Sequence, residues 1–255
     1  MTAQQLRAWD AGTYHRVSGP QVAMSQAVLD RLDLRGDETV LDAGCGSGRV
    51  TRLLLERLAQ GRVIAVDADA QMVTRAREEL GPDADVRHAN LAELRLEAGE
   101  HVDAVFSNAT FHWIADHDAL FARLAEALRP GGRLSAQCGG EGNITAVHET
   151  AIQAAADAGL AGRFEGWPRP WNFAGPEQTE ARLRAAGFGD VRCWLQAWPV
   201  EPDEPRAYLR TVCLGPHLER LEAAEHERFL DAVLARLGER PTLDYVRLNI
   251  SAVRR

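Results

Sequence analysis

Two short runs of residues carry the spacing that could do chemistry. Val40-Leu41-Asp42-Ala43-Gly44-Cys45-Gly46-Ser47-Gly48 joins an apolar stretch to a glycine loop, and Val63-Ile64-Ala65-Val66-Asp67 ends a second apolar stretch on a carboxylate. A strand, a glycine loop and a helix in succession present free backbone N–H groups and the positive helix end at a sheet's carboxyl edge, where α/β folds bind ligands. Glycine is needed there because a Cβ would block close approach of the ligand to the backbone. Asp67 follows Gly48 at close to the spacing of about 20 residues at which a carboxylate grips ribose hydroxyls. A ribose-bearing ligand is the expectation.

The glycine spacing separates the ribose-bearing ligands. A dinucleotide site wants G-x-G-x-x-G, the third glycine packing the helix under a pyrophosphate. Here Arg49 or Thr51 would take that third place. D-x-G-x-G-x-G stands instead, and with it the chain resembles the class I S-adenosylmethionine (SAM) dependent methyltransferases. The resemblance implies that Asp42, Gly44, Gly46 and Gly48 pack against the methionine part of SAM. It implies that Asp67, with Ala68 beside it, holds the ribose, and that Met72 packs under the adenine. Asn90, followed by Leu91, occupies the place where the family usually carries an acidic residue for the adenine amino group; an amide oxygen can accept the same bond. Asn108 stands at the mouth of the fourth strand, and Leu128 to Leu134 resembles the family's turn into the fifth. The good match covers Thr39 to Gln137. Trp9 to Tyr14, Ser107 to Trp113 with Asp116-His117, and the terminal Val253-Arg254-Arg255 resemble small-molecule carboxyl methyltransferases of the trans-aconitate type. SAM is then the cofactor and S-adenosyl-L-homocysteine its product.

Methyl transfer from a sulfonium is an in-line displacement, and positioning alone can supply about 7–11 kcal/mol of its barrier. A carboxylate acceptor, with a pKa of about 4, already offers a lone pair at neutral pH, whereas a phenol near 10 benefits from a base. His112, after the fourth strand, removes a proton, or with Trp113 shapes the pocket wall, or pairs with Asp116. Tyr14 and His15 lie in a segment expected to fold over the cofactor, Tyr14 with Trp9 stacking near the sulfonium, closing the pocket or stapling the first helix, and His15 serving there or in a surface or capping role. Trp113, His148, Arg163, Trp167, Arg169 and Trp171 are the acceptor-site candidates: the arginines would clamp an acidic group, or stand as exposed loop charges, the indoles give apolar walls, and His148 faces the substrate or solvent. His117, His217 and His226 sit in charged helical contexts and are expected to be solvated. No metal site is expected.

The elements that must position these residues follow from periodicity. Strands are expected at Thr39 to Asp42, Arg62 to Asp67, Asp85 to His88, Val102 to Ser107, Gly132 to Gln137, Val191 to Val200 and Val246 to Val253. Helices are expected at Gly48 to Leu58, Ala70 to Leu80, Asp116 to Leu128, Ala146 to Ala158 and Pro176 to Ala186, and within Glu204 to Leu237. This alternation predicts a Rossmann-like α/β fold with a mostly parallel seven-stranded sheet, helices on both faces, an antiparallel last strand and helical cap insertions. A single domain spans 1–255, with an N-terminal cap over 1–36, a SAM-binding core over 37–137, and substrate caps over 138–175 and 201–243.

All 29 basic residues are arginine, against 37 acidic ones, for a net charge of -8. That balance disfavours a nucleic-acid partner, whose binding rests on phosphate neutralisation. Cys45, Cys138, Cys193 and Cys213 are widely spaced, with neither a zinc nor a disulfide pattern. No apolar run reaches the roughly 18 residues of a membrane span. A small-molecule acceptor, no membrane, a cytoplasmic location and a monomer or homodimer are the corresponding expectations. An NAD(P)-dependent oxidoreductase and a non-catalytic SAM-binding module stay open as alternatives.

Overall fold

The structure, a computed structural model, describes residues 11–17 and 19–255, apart from the side chains of residues 11, 14 and 15. The strands are β1 (Thr39–Ala43), β2 (Arg62–Asp67), β3 (Asp85–His88), β4 (Val102–Asn108), β5 (Leu128–Gly139), β6 (Phe188–Ala197) and β7 (Val246–Arg254). They form one sheet in the order β3-β2-β1-β4-β5-β7-β6. β1 to β5 run parallel, and β7 lies antiparallel between β5 and β6. β6 starts before the expected Val191 and stops at Ala197, ahead of Pro199, which has no N–H to give a ladder. Val200 keeps only an isolated bridge to Leu243.

Ten α-helices accompany the sheet among the described residues: α1 (Ala11–Val17), α2 (Gly19–Asp30), α3 (Arg49–Leu55), α4 (Ala70–Leu80), α5 (His117–Ala127), α6 (Thr145–Asp157), α7 (Pro176–Ala185), α8 (Pro205–Tyr208), α9 (Gly215–Leu218) and α10 (His226–Leu237). Alternate strand residues divide between two cores. Val40, Val63, Ala65 and Phe106 pack on Leu29 of α2, Leu54 of α3 and Leu80 of α4, while Leu41, Ile64, Val105 and Ile250 pack with Phe121 of α5 and Leu183 of α7. A third core lies outside the sheet. Ile144, Val147 and Ala151 share it with Tyr208, Leu214, Phe229 and Val233, so the two helical insertions fuse into one cap. Its second half is less regular than the expected helical run, because Pro205 and Pro216 can stand only in first turns. Between them Leu209–Cys213 is wound as a π-turn, closed by the Leu214 N–H on the Leu209 carbonyl at 2.7 Å.

Candidate active site

The glycine loop wraps the carboxyl end of β2. The N–H groups of Gly44 and Cys45 donate to the Val66 carbonyl (2.8 and 3.0 Å), and that of Gly46 to Asp67 Oδ2 at 2.8 Å. Gly44 has φ +92°, and a Cβ there would stand 2.1 Å from Thr110 Oγ1. Gly48 has φ +83° and packs on Leu80 of α4. Gly46, at φ +54°, faces open space: a Cβ would meet nothing within 4 Å, which leaves room for a ligand against the backbone.

Two carboxylates lie under and beside that space. Asp42 is 1% exposed and accepts the Thr51 hydroxyl at 2.7 Å, tying α3 to β1. Burial pushes its pKa up to about 7, with the Asp67 charge adding to the rise. Asp67, which also accepts the Asp69 N–H at 2.9 Å, is raised by burial against the pull of its backbone donors. Asp69 caps α4 and takes the Met72 N–H at 2.8 Å, so Met72 is buried at the helix start, next to half-buried Ala68. Asn90 caps its own turn, with Oδ1 accepting the Ala92 N–H at 3.1 Å, and Leu91 is buried behind it. Asn108, at the end of β4, donates to the Gln21 carbonyl at 2.9 Å and leaves Oδ1 buried without a partner. An open glycine cradle, carboxylates that burial holds uneasy and an orphaned acceptor fit a nucleoside ligand bearing positive charge, as SAM does.

At the mouth of β4 the chain turns sharply. Ala109 is held at φ +59°, a left-handed conformation that costs a non-glycine residue about 1 kcal/mol or more. The turn brings Thr110 over Gly44 and His112 under Gly139. His112 Nδ1 accepts the Gly139 N–H at 3.2 Å, which leaves the ring proton on Nε2. Burial, then the Arg247 and His117 charges, hold the ring far below its ordinary pKa. Asp116 caps α5 through the Ala119 N–H at 2.9 Å rather than pairing with His112. His117 is buried and not solvated as expected: its Nε2 meets the Phe111 carbonyl at 2.9 Å.

The floor of the mouth is polar and buried, and sequence reasoning missed it. Arg247, 2% exposed, donates through Nε to Gln137 Oε1 at 3.3 Å, and Gln137 donates to Asn249 Oδ1 at 2.9 Å. Gln21 donates to the Tyr208 hydroxyl at 2.8 Å, which donates to Tyr245 at 2.9 Å. The available signal was the polar residue at every second place of β5 and β7, Ser135 and Gln137 paired with Ser251 and Asn249 and followed by Arg247, in strands otherwise apolar.

The cap carries a chain of rings. α6 starts from Ile144 at φ +45°, pinned by the Asp244 carbonyl and by Asp244 Oδ2 on the Ala146 N–H. This fixes His148, whose ring lies 4.3 Å from Trp171 and stacks on His217 at 5.3 Å. Trp113 and Trp167 each stand 6.0 Å from Trp171. His148 and His217 are 2% and 1% exposed, which corrects the expectation that His217 is solvated. Both nitrogens of His148 and Nδ1 of His217 lack a hydrogen-bond partner, each such orphan costing about 1–3 kcal/mol. Burial and then the Arg169 charge lower His148 to about 4; burial, His148 and Arg169 lower His217 to about 3. Arg169 is exposed at this rim, whereas Arg163 is exposed and ion-paired with Glu222 and Glu225. His226 is half-buried, with Nε2 at 3.0 Å from the Leu218 carbonyl. The side chains of Trp9, Tyr14 and His15 lie outside the described residues. Among those described, no group of three or more His, Cys, Asp or Glu is placed to hold a metal ion, and no helix is long and apolar enough to cross a membrane.

The family model for a methyltransferase domain matches residues 40–132. A trans-aconitate 2-methyltransferase of Paracidovorax citrulli (strain AAC00-1) is 32% identical over 241 residues, 89% of this chain and 88% of that protein. One of Rhodopseudomonas palustris (strain BisB18) is 38% identical over 247 residues, 90% of each. The solved phosphoethanolamine N-methyltransferase 2 of Haemonchus contortus, in complex with S-adenosyl-L-methionine, superposes with a TM-score of 0.62 at 18% identity, over 96% of this chain and 56% of that one, a likeness of fold.

Proposed function

Because the chain belongs to the class I SAM-dependent methyltransferases of the trans-aconitate methyltransferase type, we propose that it methylates a carboxylate oxygen of a small acidic acceptor. SAM supplies an electrophilic methyl group on a sulfonium. This chain's residues supply the rest. Gly44, Gly46 and Gly48 give the cradle, Asp67 takes the ribose hydroxyls, Met72 and Leu91 give the adenine its apolar walls, and Asn108 Oδ1 accepts from the donor's amino group.

On the acceptor side the reading rests above all on the protonation of His112. With Nδ1 occupied by the Gly139 N–H, the ring offers a proton and no lone pair, so it orients an anion and does not remove a proton. An acceptor that is already ionised suits such a donor. The buried Arg247 guanidinium lies near enough to act on His112 and would favour the same anion. Trp113, Trp167 and Trp171 exclude water and hold the acceptor in line, and Arg169 at the rim draws acids inward. Arg163 is left at the surface in this reading, while Tyr14 and His15 close the donor side. We read the chain as one methyltransferase domain, its caps over 138–175 and 201–243 forming the acceptor wall. The free, buried cysteines suit a cytoplasmic setting.

Incubation with methyl-labelled SAM and trans-aconitate, followed by mass spectrometry, tests this function. The expected product is a base-labile methyl ester, formed with one S-adenosyl-L-homocysteine per methyl. Transfer to amines, phenols or carbon acids, with none to any carboxylate, would overturn it.

A further inference from the structure

We infer that His148 and His217 form a receptor for a second, unreacting carboxylate of the acceptor, and that the pair takes up one proton as this group binds. The inference rests on the carboxylate-methylation reading and adds to it which residues read the remainder of the acceptor.

The geometry of the pair carries the inference. The two imidazoles stack at 5.3 Å with 21° between their planes, one from α6 and one from α9, where the two cap insertions meet. Their other neighbours are rings: Trp171 and Phe173 on His148, and Phe164, Trp167 and Phe229 on His217. Phenylalanine at either place would keep those contacts and bury no nitrogen. Three of the pair's four nitrogens are buried without a hydrogen bond, so the fold gains nothing from them. A buried polar group that packing does not need, in a wall otherwise apolar, is the mark of a site shaped for a ligand.

The charge around the pair sets the sign of that ligand. Arg169 from the loop above acts on both rings, and His148 acts on His217; no carboxylate of the described residues is among the groups that shift either. Burial therefore keeps both rings neutral, and a cation is disfavoured. An arriving carboxylate reverses the balance: a neutral imidazole, a proton from solvent and the carboxylate give an imidazolium–carboxylate pair in a dry site, where such a bond is strong. One ring, Phe173, packs on both His148 and His112, at 6.2 and 5.7 Å from them, so the pair belongs to the same wall as His112.

Calorimetric titration of the S-adenosyl-L-homocysteine-loaded enzyme near neutral pH, in two buffers of different ionisation enthalpy, tests this. The probes are succinate, glutarate and the tricarboxylate of the turnover test. Binding with uptake of close to one proton is expected. His148→Phe and His217→Phe should each abolish the uptake and weaken acceptor binding roughly ten- to hundredfold, leaving S-adenosyl-L-homocysteine affinity unchanged. Thermal melts of the free variants, unchanged or raised, would show that they fold, with His217→Gln as the milder substitution. Binding without proton uptake, or no binding of any probe, would overturn the receptor. Binding with uptake but no methyl ester would leave the receptor standing and remove the carboxylate-transfer reading instead.

Discussion

The glycine loop and the cap both hold titratable groups whose ionisation burial resists, of opposite sign. Around the loop, burial raises two carboxylates, Asp42 and Asp67. In the cap, burial lowers two imidazoles, His148 and His217. Desolvation penalises whichever form is charged, so the first region is relieved by a cation and the second by an anion. Under the proposed function, a sulfonium donor and an acidic acceptor would be matched by two separate regions of one site, each prepared before its ligand arrives. The regions also differ in construction. The loop is backbone geometry within one βαβ unit, whereas the cap pair is assembled from α6, α9 and the loop carrying Trp167 and Trp171.

Breaking the donor region should give the largest effect. Gly44→Val would force a side chain onto Thr110 at a φ of +92°, so SAM affinity measured by equilibrium dialysis should fall by at least about a hundredfold. Retention of tight binding would remove the loop from the cradle. Asp67→Asn should weaken SAM roughly ten- to hundredfold, through lost charge-assisted bonds to the ribose, while acceptor binding stays unchanged.

pH sharpens the contrast. The folded pKa of Asp42 is raised to about 7, so its contribution to stability is present at acid pH and is lost as pH rises through about 7. The folded pKa values of His148 and His217 are lowered to about 4 and about 3. Their contribution is present above the unfolded value of about 6.5 and is lost as pH falls toward those values. The two slopes oppose each other below about 6.5. In denaturant titrations, Asp42→Asn should steepen the loss of stability on acidification, and His148→Phe with His217→Phe should flatten or reverse it. Identical pH profiles for all three proteins would contradict the stated burial of these groups. SAM affinity should rise from pH 6 to pH 8 as Asp42 ionises.

The smallest effects are expected at Asn90 and Arg163. Asn90 already spends its oxygen on the Ala92 N–H, so Asn90→Asp should change SAM affinity by less than about tenfold. Arg163 is tied to Glu222 and Glu225 at the surface, so Arg163→Ala should leave acceptor KM within about twofold. A larger loss there would extend the acceptor region outward.

Legibility in the sequence follows the same division. β2, β3 and α4 have the ends that apolar periodicity sets, and the turn of the glycine loop is readable because it is made of consecutive backbone. The cap pair was not readable. His217 stands among charged residues in sequence, yet α9 turns it against Phe229 and His148, a contact that exists only once both insertions fold together. Glu204 to Leu237 reads as helices from its leucines, but Pro205 and Pro216 each open a short helix, and His217, in the second of these, is buried. The polar floor of Gln137, Asn249 and Arg247 hid in strands recognised by their apolar neighbours.

The most direct test of the two-region account is initial-rate kinetics with SAM and acceptor both varied, on Asp67→Asn and His217→Phe in parallel. The expected result is a double separation: Asp67→Asn raises the KM for SAM alone, and His217→Phe raises the KM for the acceptor alone. If either substitution moved both constants together, or each moved the other's, the division of the site into a cation-seeking loop and an anion-seeking cap would be contradicted.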